Sequence, residues 1–173
     1  CGETRDSANL RLPGVQHELA QKIFDTGKPV VVVLVSGRPL AIPDLAARAG
    51  AVVEAWLPGE EGAGALADIL FGLANPGGKL PITFPRSVGQ VPIYYNHKKS
   101  GSTSMFYTNY VSESVEPLFP FGHGLSYTTF SYSDLSLSAQ TARAGETVDI
   151  RFKIANVGPV AGDEIVQLYV QDE

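Results

Sequence analysis

The chain has 173 residues, 44% of them hydrophobic, and a formal net charge of −5. That length suits one domain or one and a half with a real core, and the acidic balance argues against nucleic-acid binding. No apolar run approaches the roughly 18 residues of a membrane span. Cys1 alone cannot form an internal disulfide, and one cysteine with three scattered histidines makes no metal-ligand cluster.

The ends of the sequence favour a piece of a longer protein. The chain has no initiator Met and no signal peptide, and it stops at Glu173 directly after a strand-like run. We therefore expect the first domain to be truncated at its N-terminus and the last one to be incomplete.

The first elements in chain order are a helix and a buried strand. Val15, Leu19 and Ile23 recur at helical spacing within Gly14–Thr26, which predicts an amphipathic helix. Val30–Val35 is continuously apolar and rich in β-branched residues, so we expect a strand that is covered on both faces.

Further helices and strands follow in alternation. A short helix is predicted around Ile42–Ala49, with Pro43 in its first turn, then a buried strand over Ala51–Trp56 and a helix over Glu60–Gly72. Leu80–Phe84 is predicted as one more strand. This order is typical of an α/β fold in which helices flank a largely parallel sheet.

The pattern changes after a long irregular stretch. Residues 85–124 are rich in Pro, Gly, Ser and Tyr, and a connection of that length is usually functional or wraps the domain. Beyond it, apolar and polar residues alternate, with a shift of one between Tyr132 and Leu135 that predicts a β-bulge. Similar runs lie at Val148–Ile154 and Val166–Val170. A sandwich of about seven strands is thus begun but not completed.

Several short strings in residues 54–128 carry a family resemblance. Five of the six combine Pro or Gly with aromatic or charged residues, and all follow one another in a fixed order: Trp56–Gly62, Phe71-Gly72, Asn75–Pro81, Thr83–Arg86, Tyr94–Lys98 and Phe119–Thr128. Together they resemble the C-terminal α/β domain of glycoside hydrolase family 3, of the bacterial β-glucosidase type. The resemblance implies a partial α/β sandwich domain over residues 1–129 and the start of a fibronectin III-like β-sandwich over 130–173.

The opening segment resembles the acid/base segment of that family. There, a Gly-Glu pair precedes a Leu-x-Leu-Pro-Gly-x-Gln run by a fixed short distance, and this chain has Gly2-Glu3 followed by Leu10–Gln16. The resemblance implies that Glu3 is the catalytic acid/base. Without it, Glu3 would be an ordinary charged residue near a chain end.

Other residues are candidates for substrate binding. Arg5 and Asp6 follow Glu3, and Arg5 lies two residues before Ser7, where the family often has Arg. Phe106 and Tyr107 belong to the irregular stretch, and aromatic faces can either stack on sugars or pack a loop onto the sheet. Both readings stay open for these two rings.

The remaining polar and aromatic residues are interpreted as structural. Arg38, in a Ser-Gly-Arg-Pro turn, is expected to form an ion pair or to bind carbonyl groups. Glu60 and Glu61 are expected to stabilise a helix start. His97 and His123 are expected to make structural hydrogen bonds, and Tyr94 and Tyr95 to pack the loop onto the sheet. No Gly-x-Ser-x-Gly elbow supports a serine nucleophile.

The resemblance implies a retaining, exo-acting β-glucosidase that hydrolyses terminal non-reducing β-D-glucosyl residues. Retention needs two carboxyl groups. Glu3 supplies the acid/base, and the family's nucleophile is an Asp of an N-terminal barrel that this sequence lacks, so the chain alone is expected to be inactive. The expected partners are a β-glucoside or oligosaccharide and that barrel, with no metal or cofactor.

Two alternatives stay open. Loops set the sugar preference in such enzymes, so a β-xylosidase or another exo-glycosidase of the family fits the same residues. A non-catalytic carbohydrate-binding or scaffold module would keep the fold without the chemistry. For a full-length parent of the bacterial type, a periplasmic or secreted location is expected.

Overall fold

The computed structural model describes residues 6–96 and 112–171, which form two compact units. Within these ranges, the first unit takes in 6–66, 79–96 and 112–123, and the second takes in 67–78 and 124–171. The domain boundary after residue 129 stays a prediction. No described helix is long and apolar enough to cross a membrane.

The first unit is built on a strand–helix–strand motif. The elements in order are α1 (Gln16–Phe24), β1 (Val31–Leu34), α2 (Pro43–Arg48) and β2 (Ala51–Glu54). The next helix, α3 (Gly62–Leu70), begins in this unit and ends in the second. β1 and β2 pair in parallel, from Val31 opposite Ala51 to Leu34 opposite Glu54. The α/β fold class predicted from the sequence is therefore confirmed, and Pro43 does occupy the first turn of α2.

The core of the first unit lies on one face of this small sheet. Phe24 of α1, Leu34 of β1 and Leu45 of α2 are buried together with Leu40 and Ile42. Neighbouring residues of a strand point to opposite faces. Both helices contribute to the cluster around Leu34, so the opposite face of β1 remains open among the described residues.

That open face corrects a sequence-based expectation. β1 is not covered on both faces, because Val31 and Val33 are 49% and 36% exposed. The predicted stripe of α1 is also not its packed face, since Val15 and Leu19 are 70% and 58% exposed. The helix packs through Phe24 instead. The hydrophobic pattern predicted β1 and α1 correctly, but it did not predict which face of each is covered by the described residues.

The Leu-Pro-Gly string of the sequence forms the tight entry into α3. Gly59 has a φ of +73°, which favours glycine, and the Gly62 N–H donates to the Gly59 carbonyl. A Cβ at Gly62 would lie 2.4 Å from Cβ of Pro58. Only glycine fits there without a shift, so this string encodes backbone shape.

The predicted strand at Leu80–Phe84 is wrong. The segment forms one isolated antiparallel bridge, between Phe84 and Phe119, and the Leu80 N–H donates to the His123 carbonyl. Pro81, Pro85 and Pro120 lie within or beside the two paired segments. Proline has no N–H to donate to a ladder, so a continuous strand cannot form.

The second unit contains an antiparallel pair of strands. β3 (Phe130–Leu137) pairs with β4 (Ile150–Asn156), and the register shifts between Ser133 and Ser136, which confirms the predicted bulge. The strand expected at Val166–Val170 is wrong, because residues 161–171 carry no regular structure. A strand needs a ladder partner, and the described residues provide none for this run.

A polar cluster ties the second unit together. The side-chain oxygen of Asn75 accepts hydrogen bonds from the Ser126 hydroxyl at 3.0 Å and from the Tyr127 N–H at 2.7 Å. The Tyr127 hydroxyl donates to the Ile69 carbonyl at 2.9 Å. A Cβ at Gly77 would lie only 3.1 Å from the Asp163 carbonyl oxygen. The Asn-Pro-Gly-Gly and Gly-Leu-Ser-Tyr-Thr strings therefore meet in space.

Candidate active site

The candidate site lies at the carboxyl ends of the two parallel strands. β1 leads into the turn Ser36–Pro39, and β2 leads into Ala55 and Trp56. The Ala55 N–H donates to the Leu34 carbonyl at 2.8 Å, which continues the pairing to this edge. Ligands of open α/β sheets usually bind outside the carboxyl ends of the strands.

An ion pair joins this edge to the segment that precedes α1. Nη1 of Arg38 donates to Oδ1 of Asp6 at 2.8 Å. The pKa of the Asp6 carboxyl lies below its usual range because the Ser7 N–H donates to it and the Arg38 charge favours its ionised form. The expected ion pair of Arg38 is therefore confirmed.

The segment after Asp6 is folded into short polar turns. Ser7 Oγ donates to the Asn9 carbonyl at 2.9 Å, and the Arg11 N–H donates to Oδ1 of Asn9 at 3.1 Å. The Ala41 N–H then donates to the Leu10 carbonyl at 2.8 Å. Residues 6–10 are thus fixed to the connection between β1 and α2 at two points, Arg38 and Ala41.

Several predicted site residues lie outside the described part of the chain. These are the acid/base candidate, its neighbour, two aromatic candidates and one histidine: Glu3, Arg5, Phe106, Tyr107 and His97. In the sequence, Glu3 stands three positions before Asp6, which the structure describes.

A cavity of about 430 Å³ lies between this segment and β1. Ser7, Asn9 and Arg11 line it on one side, and Val32–Val35 and Arg38 line it on the other. Small-molecule sites typically enclose about 300–1,000 Å³. The segment that follows Glu3 therefore forms one wall of a cavity of ligand size.

Glu54 is a carboxylate of this edge that sequence reasoning missed. Its Oε1 accepts a hydrogen bond from the Trp56 N–H at 3.0 Å, while its Oε2 is buried and has no hydrogen-bond partner among residues 6–96 and 112–171. Burial raises the pKa of Glu54, and the Trp56 N–H partly offsets that rise. The signal in the sequence was a lone carboxylate at the end of an apolar strand.

The Glu54 contact also supports an unusual backbone conformation. Trp56 has a φ of +52°, which is uncommon for a residue with a side chain. Its ring packs edge-on against Phe84 at 6.0 Å between centroids, and Phe84 packs against Phe119 at 6.2 Å. The strand end is therefore joined to the long irregular connection by an aromatic cluster.

Tyr95 and His123 each stack on a phenylalanine ring of the irregular connection. Tyr95 stacks on Phe121 at 4.6 Å, a contact within the connection, whereas packing onto the sheet was predicted. His123 stacks on Phe119 at 5.2 Å, and burial together with the Lys79 charge lowers its pKa. His123 is thus held by ring packing, whereas the sequence analysis expected a hydrogen bond.

The two ends of the irregular connection are hydrogen-bonded to each other. Nε of Arg86 donates to the Glu116 carbonyl at 3.0 Å, and Nε2 of Gln90 donates to the Ser114 carbonyl at 2.6 Å. Oε1 of Gln90 accepts from the Arg86 N–H at 2.7 Å. Gln90 therefore clamps the base of the connection, a role that the sequence pattern did not reveal.

The other carboxylates do not converge on this edge. Glu60 and Glu61 are exposed in the turn just before α3. Among residues 6–96 and 112–171, no three His, Cys, Asp or Glu side chains are grouped so as to hold a metal ion. Asp6 and Arg38 pair at this edge, and Glu54 is the last residue of β2.

Comparison with known proteins gives consistent matches. Residues 1–127 match the glycosyl hydrolase family 3 C-terminal domain. A periplasmic beta-glucosidase of Salmonella typhimurium is 43% identical over 98% of the chain, and a beta-xylosidase of Formosa agariphila is 46% identical over 100% of it. The crystal structure of a beta-glucosidase from Listeria innocua with glucose superposes with a TM-score of 0.85 at 38% identity over 93% of the chain.

The matched proteins are much longer than this chain. It spans 23% of the Salmonella relative, 24% of the Formosa relative and 23% of the Listeria structure. The match therefore covers about a quarter of each of these proteins.

Proposed function

The chain belongs to glycoside hydrolase family 3, and from this membership we infer that it works as part of a retaining, exo-acting β-glucosidase. Its substrates are terminal non-reducing β-D-glucosyl residues of a β-glucoside or oligosaccharide. Glu3 is the acid/base, and the nucleophilic Asp comes from an N-terminal barrel outside the 173 residues. By analogy with the Salmonella relative, whose name places it in the periplasm, the location is periplasmic or secreted.

The proposed mechanism divides the two carboxyl groups between domains. Glu3 protonates the glycosidic oxygen while the barrel Asp attacks C1, and it then deprotonates the water that releases the sugar. The two carboxyl groups must stand about 5–5.5 Å apart in a retaining enzyme. The described chain contributes residues 6–10, which follow Glu3 and are bonded to Arg38 and Ala41.

The observation that carries this proposal is the tie between residues 6–10 and the carboxyl end of β1. The bonds of Asp6 to Arg38 and of Leu10 to Ala41 hold the segment at the edge where such folds bind ligands. Glu3 is three residues away along the chain. Phe106 and Tyr107 are further proposed contacts with sugar or aglycone, on a connection whose base Gln90 clamps.

β-Xylosidase activity is the second candidate. The Formosa relative is called a beta-xylosidase and is 46% identical to this chain. Xylose lacks the hydroxymethyl group of glucose, and the barrel and loops that contact this position decide between the two sugars.

The test is a panel of aryl glycosides assayed on the full-length protein, with Glu3→Gln beside the wild type. We expect a loss of about 10²–10⁴-fold on substrates with poor leaving groups. The loss is smaller for activated aryl groups, which need little protonation. Glu61→Gln, in an exposed turn, is the matched control.

Two outcomes would contradict the proposal. One is an equal, small loss for Glu3→Gln on both types of substrate. The other is clear turnover by the isolated 173-residue chain, because it would mean that a single proposed carboxylate suffices.

A further inference from the structure

The Arg38–Asp6 pair joins a fixed residue to an exposed one. The Arg38 side chain is 22% exposed, whereas the Asp6 side chain is 93% exposed. Such a pair contributes little to stability, because solvent screens the charges and the flexible partner loses conformational freedom. The main effect of the Arg38–Asp6 pair is to hold residues 6–10 beside the turn that carries Arg38.

Arg38 is held by its surroundings. Its N–H donates to Oγ of Ser36 at 3.3 Å, and Pro39 fixes the backbone directly after it. Leu40 and Ile42 follow within the buried core at 8% and 2% exposure. The guanidinium therefore projects from a rigid turn and can serve as the anchor for Asp6.

We propose that Arg38 is a positioning residue. It acts through Asp6 to hold the chain that follows Glu3 at the carboxyl end of β1, so that the acid/base is correctly placed for catalysis. This inference rests on the proposed function. Asp6 follows Glu3 by three positions in the sequence, and its bond to Arg38 restricts where the described chain after the acid/base lies. A misplacement of about 1 Å can lower a rate by about 10²-fold.

The proposal predicts a specific kinetic signature in the full-length enzyme. Arg38→Ala lowers kcat about tenfold or more on substrates with poor leaving groups, with KM within about twofold of the wild type. The loss is much smaller on dinitrophenyl glycosides, which need little protonation. Arg38→Lys recovers part of the rate, because an ammonium can still pair with Asp6 at this site.

The chain offers a matched control. Arg48 forms a comparable pair with Asp25 at 2.7 Å in the same unit, and its guanidinium lies 4.9 Å from the centroid of the Phe24 ring. It is not bonded to residues 6–10. Arg48→Ala should therefore cost at least as much stability as Arg38→Ala, while both substrates keep their wild-type rates.

A double-mutant cycle tests whether Arg38 acts through Asp6. Asp6→Ala should reproduce the kinetics of Arg38→Ala, and the double variant should be no slower than either single variant. If the rate losses of the two single variants multiply in the double variant, the proposal is wrong. Equal losses on both substrate types would also overturn it, as would a KM increase confined to Asp6→Ala, which would place Asp6 on the substrate.

The two proposals fail in distinguishable ways. If Glu3→Gln shows no selective loss on poor leaving groups, the proposed function is wrong. If Glu3→Gln shows that loss but Arg38→Ala matches the wild type and Arg48→Ala, only the positioning role is wrong. Thermal melts of each variant exclude unfolding as the cause.

Discussion

The two units of this chain are held together by different forces. In the first, Phe24, Leu34, Leu45 and Phe84 are buried and form apolar contacts. In the described part of the second, Thr128 is the residue buried to a similar degree, at 7% exposure, and hydrogen bonds of Asn75 and Asn156 join its segments. Of the strings that carry the family resemblance, Thr83–Arg86 therefore contributes buried apolar contacts in the first unit, and Asn75–Pro81 contributes hydrogen bonds in the second.

This difference has a consequence for mutations. An apolar contact loses stability in proportion to the cavity that a truncation leaves. A polar contact loses stability when a buried partner is left without a hydrogen bond. The following substitutions separate the two cases, with Trp56, the only tryptophan, as a fluorescent probe of the first unit.

The largest effect is expected for Phe84→Ala. Phe84 is 2% exposed and contacts Trp56 and Phe119. Its truncation should cost about 3–5 kcal/mol in the free energy of unfolding, measured by denaturant titration of Trp56 fluorescence. Val15→Ala is the control, because Val15 lies in the same unit and is 70% exposed. Similar losses for both variants would refute the apolar core.

Asn75→Ala should act on the second unit alone. It removes the acceptor of the Ser126 hydroxyl and of the Tyr127 N–H, at a cost of about 0.5–1.5 kcal/mol for each bond, since water can reach both donors. Amide hydrogen exchange should accelerate in residues 124–163, while the Trp56 transition stays in place. A shift of that transition by the same free energy would show that the two units unfold as one.

A pair of glycines gives effects of opposite sign. A Cβ at Gly158 would lie 2.2 Å from Thr128 Oγ1 and 2.6 Å from the Thr129 nitrogen, so Gly158→Ala should destabilise the second unit by about 1–3 kcal/mol. Gly64 of α3 has nothing within 4 Å of its Cβ position. Gly64→Ala should stabilise the helix by about 0.5–1 kcal/mol. Hydrogen exchange measures both, and equal signs would contradict the contact geometry.

The smallest effect is expected for Glu54→Gln and depends on pH. Burial raises the pKa of Glu54 in the folded state, so its contribution to stability is complete below the unfolded pKa and declines as pH rises through the folded pKa. The amide keeps an acceptor for the Trp56 N–H and cannot ionise. At pH 7 the variant should gain less than about 1 kcal/mol, since the carboxyl is only partly buried.

That gain should disappear near pH 4, where both side chains are neutral. Unfolding of the wild type and Glu54→Gln at the two pH values, followed by Trp56 fluorescence, measures the difference. Glu60→Gln, in an exposed turn, is the control. If the free energies of unfolding of the wild type and Glu54→Gln differ by the same amount at pH 4 and pH 7, the pKa of Glu54 is not raised by burial in the folded state.

The sequence predicted local elements better than their surroundings. Helical spacing located α1, and alternation located β3 with its bulge, because both patterns reflect backbone geometry that forms locally. The same spacing suggested Val15, Leu19 and Ile23 as the packed face of α1, and that was wrong. Burial depends on which segments arrive from elsewhere, and a single periodic pattern does not contain that information.

The candidate site shows the same division. The strings in residues 54–128 identified the family, and the segment from Glu3 to Gln16 indicated the acid/base candidate. The Ser-Gly-Arg-Pro turn marked Arg38 as a residue that forms an ion pair or binds carbonyl groups. No pattern indicated that its partner would be Asp6, 32 positions away. Nor did any pattern single out Glu54 or Gln90, whose roles depend on a buried atom and on contacts across a long connection.

By itself, the sequence determined the family, the α/β class and the order of most elements, because propensity, periodicity and glycine-dependent turns act over a few residues. The tertiary structure alone decided that Asp6 meets Arg38, that Asn75 meets Tyr127, and that Leu80–Phe84 forms a single bridge instead of a strand. These outcomes depend on pairings between distant segments. Each pairing is set by the competition of many weak contacts across the whole fold.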